Sequence, residues 1–490
     1  MKKICFLLVF ALLLPLLGCS KDTSGHDAVI DIGGDNVSFT ETEPNKSPSG
    51  TNTEGAVATE TPVPTAAPTA VPVIPNNVEE AIEQFEETPM GYTPIDRPAV
   101  QPNFPITEPR YSLGADGVYR SSFSTGDNEA VIMLVGDLMC QTRQQEAGKT
   151  ATGYIFTQGF DYVKDIFAEA DFVVGNLENT FSETSPYMSE QLWVEKTPHL
   201  NAPTTFIEAV RYAGFDMVVL ANNHNLDSGV RGIYDTLGHV DEYKLIHTGL
   251  FRSAAETRYT IVDIDGIKVA FLSYGTFYNR KEWHLTYEGY TTLLNPYSKE
   301  TAARDIQNAR AAGAEYVITY IHWGIEYTND PGLTKYMPAK LKFSDREVMI
   351  KIPLDFQYEM AQELADAGTD YIIGSHTHSL QPYDIITSSD GREVPCVYSM
   401  GNFISHQKRQ VSMDTVILRL TLTRNSQGRV VIKDEGYIPC LVFESFEGHT
   451  YAPVPVVKPY NNGLSSDSFY PAYQRITAVM GSKLRVIGTP

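Results

Sequence analysis

The chain has 490 residues and a formal net charge of -22 at pH 7, with 60 acidic and 38 basic side chains. This balance argues against a nucleic-acid-binding protein and against a surface that coats polyanions, so an anionic ligand would need a local binding device. With Cys5 and Cys19 set apart in the leader region, three cysteines remain, and at most one disulfide bridge can form among Cys140, Cys396 and Cys440.

The first 18 residues have the pattern of an export signal. Lys2 and Lys3 precede an apolar run over residues 4–17, which is shorter than a membrane span. The run ends in Leu-Leu-Gly-Cys19, which resembles a bacterial lipobox. We therefore expect residues 1–18 to be a lipoprotein signal peptide and Cys19 to be lipidated, so that the protein is extracytoplasmic and anchored to the bacterial membrane. A plain secretory signal is the alternative.

Residues 19–128 are polar and rich in Thr and Pro, above all over residues 57–75. Such a composition buries too little apolar surface to offset the entropy of ordering, so it predicts a mostly disordered tether. Within it, the spacing of apolar residues over 78–85 favours one short helix.

The folded domain is predicted to span residues 129–445, followed by a C-terminal extension over 446–490. It opens with a buried strand over 130–139 that ends in Gly136-Asp137. Asp137 can be a metal ligand, a helix N-cap or a turn residue on this evidence. Near the end of the domain, runs at 415–423 and 429–433 flank Asn-Ser-Gln-Gly and predict a β-hairpin.

One local layout occurs four times inside the domain: a helical stretch, a small or acidic turn, a continuous apolar strand, and then polar residues. Three of the turns carry a glycine, as a helix C-cap does, and such apolar runs suit strands that are covered on both faces. In open α/β sheets the ends of these strands gather at one edge. The polar motifs expected to converge are Gly175-Asn-Leu-Glu178, Asn222-Asn-His224, His322-Trp-Gly-Ile-Glu326 and Gly374-Ser-His-Thr-His378.

The last of these motifs presents two imidazoles at spacing i, i+2. In an extended backbone His376 and His378 would share a face, and imidazole is the commonest metal-ligating side chain near neutral pH. The alternative is a pair of loop histidines without a function.

With Asp137, the ordered motifs resemble the calcineurin-like metallophosphoesterases, and more closely the CapA-type family of poly-γ-glutamate capsule synthesis proteins. The resemblance covers about residues 131–403. It implies an α/β fold, a four-layer α/β/β/α sandwich of two sheets with metal-binding loops at one edge. It also implies one or two divalent ions, with Mn, Fe, Zn and Mg not distinguished. In this resemblance Asp137 and His378 serve one ion, Asn223, His322 and His376 serve the other, and His224 is the proton donor beside the substrate.

The sequence departs from the metallophosphoesterase pattern at two positions. Met139 stands where those enzymes have a histidine ligand, and a thioether is a poor ligand for such ions. Asn176 stands where they have a bridging aspartate, so we expect Glu178, two residues further along the strand, to bridge. The first metal position is then predicted to be under-liganded, and Met139→His to fill it.

Other charged residues near the motifs leave alternatives open. Glu326 can be a partner of a ligand, a base or a residue at the rim. Arg143, Lys408 and Arg409 are either contacts for an anionic substrate or ordinary solvated charges.

Two functions fit the sequence. In the first, the protein is a surface-anchored, metal-dependent hydrolase or transferase that acts on an anionic polymer or phosphoester in capsule or envelope polymer synthesis. In the second, it is a non-catalytic binding or assembly component with a degenerate metal site. Capsule-synthesis membrane proteins are the expected partners in both, and nucleic acid in neither.

Overall fold

The fold was taken from a computed structural model, which describes residues 29–31, 39–40, 75, 77–98, 100–121, 128–331, 337–352, 356–444 and 451–490. The predicted signal peptide and Cys19 lie outside the described residues. Among the helices of the described part, none combines the length and the apolarity that crossing a bilayer requires. Cys140, Cys396 and Cys440 are buried and free.

The strands in the described part of the chain are β1 (Val29–Asp31), β2 (Phe39–Thr40), β3 (Tyr111–Leu113), β4 (Val118–Ser121), β5 (Glu129–Leu138), β6 (Phe172–Leu177), β7 (Trp193–Val194), β8 (Thr197–Pro198), β9 (Met217–Val219), β10 (Ile246–Thr248), β11 (Thr260–Ile264), β12 (Ile267–Gly275), β13 (Tyr316–His322), β14 (Met337–Lys342), β15 (Glu347–Ile352), β16 (Tyr371–Ser375), β17 (Tyr383–Thr387), β18 (Glu393–Val397), β19 (Asn402–Ile404), β20 (Asp414–Arg424), β21 (Val430–Glu444) and β22 (Tyr451–Pro455).

The α-helices are α1 (Val78–Phe85), α2 (Thr142–Gly148), α3 (Lys164–Phe167), α4 (Thr205–Tyr212), α5 (Gly229–Glu242), α6 (Tyr287–Leu293), α7 (Lys299–Ala311), α8 (Gln357–Ala367) and α9 (Phe469–Met480). Short 3₁₀ helices occur at Thr157–Phe160, Glu282–His284 and Gln410–Ser412.

Two large sheets form the framework. The first has the strand order β10-β9-β6-β5-β20-β21-β22, with β19 beside the end of β5, and the second has the order β17-β18-β16-β13-β12-β11-β4-β3. Strands β5, β6, β9 and β10 run parallel in the first sheet, as do β12, β13, β16 and β18 in the second. A smaller sheet has the order β15-β14-β1-β2, and β7 pairs with β8.

The two large sheets pack face to face, with helices on their outer faces. Between the sheets, Phe172 of β6 stacks on Phe271 of β12 with 5.2 Å between ring centroids. Val230 of α5 belongs to the core outside the first sheet, and Ile306 of α7 and Met360 of α8 to the core outside the second. The predicted four-layer α/β/β/α architecture is therefore confirmed, and the covered sheet faces explain why the central strands are apolar throughout.

The four helix-turn-strand units are present where the sequence predicts them, from α3, α4, α7 and α8 into β6, β9, β13 and β16. The turn glycines Gly313 and Gly368 have φ angles of 100° and 108°, a left-handed conformation in which glycine ends a helix without strain. The predicted hairpin is also present, with Thr423 of β20 opposite Val431 of β21.

The folded unit is larger at both ends than the sequence predicts. In the segment assigned to the tether, α1 forms as expected, β4 pairs in parallel with β11, and Arg110 donates a hydrogen bond of 2.8 Å to Asp216. Beyond residue 445, β22 pairs with β21, and α9 packs into the core between the sheets through Ile476. The predicted limits of 129 and 445 thus leave out short elements that pair with the two large sheets or pack against them.

Candidate metal centre

The polar motifs meet because their strands end together. Within the first sheet, Asp137 pairs in register with Asn176 on one side and with Asn402 on the other. In the second sheet, His322 pairs with Ser375. The two sheets meet here, since Asn176 Nδ2 lies 3.4 Å from His322 Nδ1.

The first cluster surrounds the Nε2 atom of His322. Asn223 Oδ1 lies 2.8 Å from this nitrogen, His376 Nδ1 lies 3.1 Å from it, and Glu178 Oε1 lies 3.5 Å from it. Glu178, His322 and His376 each offer a ligand atom within 4.8 Å of the other two. Ser375 Oγ lies 2.9 Å from His322 Nδ1, on the other side of the ring, and orients it.

The second cluster consists of Asp137, Glu178 and His378, whose ligand atoms also lie within 4.8 Å of one another. Asp137 Oδ2 is 3.7 Å from His378 Nδ1, which lies 3.0 Å from Asn402 Oδ1. Glu178 is shared by the two clusters, so it is the residue that would contact both ions if two were bound.

The chemistry of these residues fits a divalent cation. Glu178 is fully buried, and neither of its carboxylate oxygens has a hydrogen-bond partner. Burying an ionised carboxylate without compensation is costly, so such a group calls for a cation. Carboxylate, imidazole and amide oxygens and nitrogens are ligands that Mg, Mn, Fe and Zn accept.

The pKa values of His376 and His378 are shifted in opposite directions by their surroundings. Burial lowers the pKa of His376 well below its usual value, and the neighbouring His322 lowers it further. For His378, burial is outweighed by Glu178 and Asp137, which raise its pKa to about 9. Burial would raise the pKa of Asp137, but His378 and His322 hold it below its usual value.

His224 is held by a buried ion pair that the sequence analysis missed. Its Nδ1 donates to Asp227 Oδ2 at 2.8 Å, and Asp227 Oδ1 accepts from Lys281 Nζ at 2.7 Å. Burial opposes the charge of Asp227, but Lys281 and His224 lower its pKa. His224 Nε2 lies 3.9 Å from Glu178 Oε1, so this ring borders the metal clusters. The short spacing from His224 to Asp227 could have signalled the pair, whereas Lys281 is distant in sequence.

The backbone differs from the expected extended geometry. β16 ends at Ser375, and His376 and His378 have positive φ angles of 87° and 52° in the loop that follows. Their ring centroids are 6.0 Å apart. Similarly, β9 ends at Val219, so Asn223 and His224 lie in a turn rather than on a strand. The argument that His376 and His378 share one face of an extended backbone was therefore wrong in its geometry, although both side chains reach the centre.

The structure shows what contacts Asn176 and Met139, the two residues that depart from the phosphoesterase pattern. Asn176 donates to Asp137 Oδ1 at 2.8 Å and so supports a candidate ligand. Met139 is fully buried and packs with Met188 and Leu200. The position expected to be under-liganded has three candidate ligands without Met139.

The remaining predicted residues lie at or beyond the rim. Glu326 is exposed in the turn after β13, outside both clusters. Arg143 is 4.0 Å from Glu146, and Lys408 pairs with Glu444 at 3.0 Å. Arg409 instead lies over the ring of Tyr327, 3.6 Å from its centroid, and that ring is 5.7 Å from the ring of His378.

The fold and the centre define a four-layer α/β protein with a candidate metal site of two positions at the meeting edge of its sheets. The chain belongs to the family of the bacterial capsule synthesis protein PGA_cap, whose model matches residues 131–340 and 349–407. The resemblance stated from the motifs is confirmed.

Two curated relatives carry capsule-related names. The PGA biosynthesis protein CapA of Bacillus subtilis (strain 168) is 27% identical over 277 residues, which cover 55% of this chain and 62% of that protein. The capsule biosynthesis protein CapA of Bacillus anthracis is 26% identical over 304 residues, covering 61% and 66%. The matched region thus spans less than two thirds of either relative.

Among solved structures, the calcineurin-like phosphoesterase YfkN of Bacillus subtilis is similar with a TM-score of 0.37 and 14% identity, covering 71% of this chain and 97% of that one.

Proposed function

We propose that this protein is a metal-dependent hydrolase or transferase that acts on an anionic substrate in the synthesis of a capsule or envelope polymer. The observation that carries the proposal is Glu178, a buried carboxylate without hydrogen-bond donors that is shared by two clusters of ligand atoms. The relative named as a PGA biosynthesis protein makes poly-γ-glutamate the polymer to test first.

In this proposal the ions are held by Asp137, Glu178, Asn223, His322, His376 and His378. Divalent ions supply the positive charge that polarises a substrate oxygen, and they give an acidic protein a local anion receptor. Asp227 accepts the Nδ1 proton of His224, which leaves Nε2 as the atom that gives or takes a proton. Lys281 keeps Asp227 charged and in place. Glu326, at the rim, stays a candidate base.

The proposed location is outside the cytoplasmic membrane, with a lipid on Cys19. The support is the Leu-Leu-Gly-Cys19 ending of the apolar leader and the polar segment that follows it. Membrane proteins of capsule synthesis are the partners that such an anchor would bring within reach.

A second candidate function is a non-catalytic binding or assembly role in the same machinery. It is favoured by Asn176, which stands where the metallophosphoesterase pattern has a carboxylate, and by the apolar surroundings of Met139. A centre that holds ions without turnover would fit this function.

The deciding experiment is metal analysis and turnover of the full-length protein. His322→Ala should lose metal while remaining folded, because its Nε2 is the atom on which the first cluster converges. His247→Ala is the matched control, since His247 lies on β10 and pairs with Asp241 at 3.2 Å. Wild-type protein that binds no added Mn²⁺ or Zn²⁺ would refute the metal site. Metal-loaded wild type that cleaves neither a generic phosphodiester nor poly-γ-glutamate would favour the binding role.

A further inference from the structure

Arg409 lies in a loop that begins inside the candidate metal centre. The loop follows β19, whose Asn402 contacts His378, and Asn402 Nδ2 donates to Gln407 Oε1 at 3.2 Å. Next to it, the backbone N–H of His406 donates to Gln141 Oε1 at 2.9 Å. The loop is thus fixed just before Arg409, two residues beyond the part of the chain that the family model matches.

A stack of rings connects Arg409 with the centre. Its guanidinium lies over the Tyr327 ring with Cζ 3.6 Å from the ring centroid, and the Tyr327 ring neighbours that of His378. Tyr327 is itself fixed, because its backbone N–H donates to Thr377 O at 2.6 Å and its φ angle is 67°. A non-glycine residue keeps such a conformation only where its surroundings enforce it.

Apart from the Tyr327 ring, the charge of Arg409 has no partner within the described part of the protein. Its guanidinium makes no hydrogen bond and no ion pair there, although the side chain is exposed and the protein is strongly acidic. Its neighbour Lys408 pairs with Glu444. Arg346, which also lies over a tyrosine ring, pairs with Asp345 at 2.8 Å. Arg409 is therefore a cation held near His378 by the Tyr327 ring, and its guanidinium N–H groups can donate to a ligand.

We infer that Arg409 is a substrate-binding residue that takes an oxyanion, a carboxylate or a phosphate, of the substrate beside the candidate metal centre. A guanidinium stacked on an aromatic ring keeps the planar fork of donors that binds two oxygens at once. This inference rests on the proposed function and adds to it the residue that selects anionic substrates.

The test compares Arg409→Gln with the wild-type full-length protein loaded with Mn²⁺. Isothermal titration with inorganic phosphate and with a pentaglutamate peptide separates the two oxyanions. Arg409→Gln should weaken at least one probe about tenfold or more, the loss expected for hydrogen bonds to a charged group. Metal content should stay unchanged. Arg409→Lys, which keeps the charge without the fork, should fall between the two.

Arg346→Gln is the matched control, because it removes a stacked arginine away from the centre and should bind both probes as the wild type does. Unchanged binding of both probes by Arg409→Gln, or loss of metal in that variant, would overturn the inference and leave the proposed function standing. Metal-loaded wild type that binds neither probe would overturn both.

Discussion

Glu178 Oε1 lies 3.5 Å from His322 Nε2, yet neither carboxylate oxygen of Glu178 accepts a hydrogen bond. Without a cation, the folded protein carries a desolvated charge that the unfolded chain hydrates. A bound ion removes this cost and binds only the folded state, so metal should stabilise the fold through this residue.

We predict that Glu178→Gln stabilises the metal-free protein and weakens its response to metal. A neutral amide replaces a buried charge that accepts no hydrogen bond, and the expected gain in unfolding free energy is about 1–3 kcal/mol. Urea denaturation in EDTA and in Mn²⁺ measures both effects. Wild type should gain stability with Mn²⁺ and the variant should gain far less.

Glu208→Gln is the control for this prediction. Glu208 is also buried, but its carboxylate accepts from the Phe104 N–H and from Asn103, each at 2.7 Å. Its substitution should destabilise the protein equally with and without metal. A Glu178→Gln protein that is less stable than wild type in EDTA would contradict the prediction, because the Glu178 carboxylate would then stabilise the metal-free fold.

His224→Asn should keep the metal and lose turnover. Asp227 holds His224 through Nδ1, and the shared Glu178 is 3.9 Å from Nε2, beyond a hydrogen bond. The expected loss in rate is about 10²–10⁴-fold, the contribution of one positioned general acid. Turnover and metal content are measured on the same sample of His224→Asn, with His247→Asn as the control. Metal loss in His224→Asn would make this histidine a ligand.

Arg110→Ala should show that the segment before β5 belongs to the fold. Arg110 donates to the buried Asp216 carboxylate, and among the described residues the Val173 N–H is the donor that would remain to it. Because Arg110 is partly exposed, we expect a loss of about 1–2 kcal/mol in unfolding free energy. Arg120→Ala is the control, since its pair with Asp116 is exposed to solvent and should contribute much less to the unfolding free energy. Equal effects in urea denaturation would contradict the prediction.

The central fold could be predicted because its signals are local. A continuous apolar run and a glycine at the end of a helix are visible in a short window, as at Gly313 and Gly368 before β13 and β16. Strands β3 and β4 could not be predicted in this way, because they are short. Strand β4 is held by pairing with β11, and β3 by pairing with β4, rather than by their own periodicity.

The candidate site was predictable in its residue types but not in its geometry. The strand-end rule brings Glu178, His322 and His376 to one edge, and the structure places them within 4.8 Å of one another. The positive φ angle of His376 leaves no trace in the sequence, since it is imposed by the surroundings of the loop. Lys281 was missed because its partner Asp227 is 54 residues away.

Cys19→Ala should abolish lipidation of the mature protein. The lipobox-like sequence before Cys19 motivates the prediction, and the acyl chain would be attached to the Cys19 sulfur. Metabolic labelling with a fatty-acid analogue should mark the wild type and miss the variant. Cys140→Ala serves as control, because its thiol is buried. Equal labelling of wild type and Cys19→Ala would contradict the lipid anchor.

Met139→His tests the departure from the phosphoesterase pattern. A histidine at this position was expected to complete the first metal position, but Met139 is fully buried in an apolar cluster with Met188 and Leu200. An imidazole placed there loses its hydration without gaining a partner, so we now expect a loss of about 1–3 kcal/mol in unfolding free energy and no additional metal.

Met139→Leu separates packing from ligation, because it nearly conserves volume and should cost less than about 1.5 kcal/mol. Asp137, Glu178 and His378 already supply three candidate ligands at this position, so occupancy should be equal in all three proteins. Urea denaturation together with elemental analysis gives both quantities. If Met139→His binds an extra ion and is as stable as wild type, the side chain at 139 faces the centre, and methionine there is what keeps a fourth ligand from the first ion.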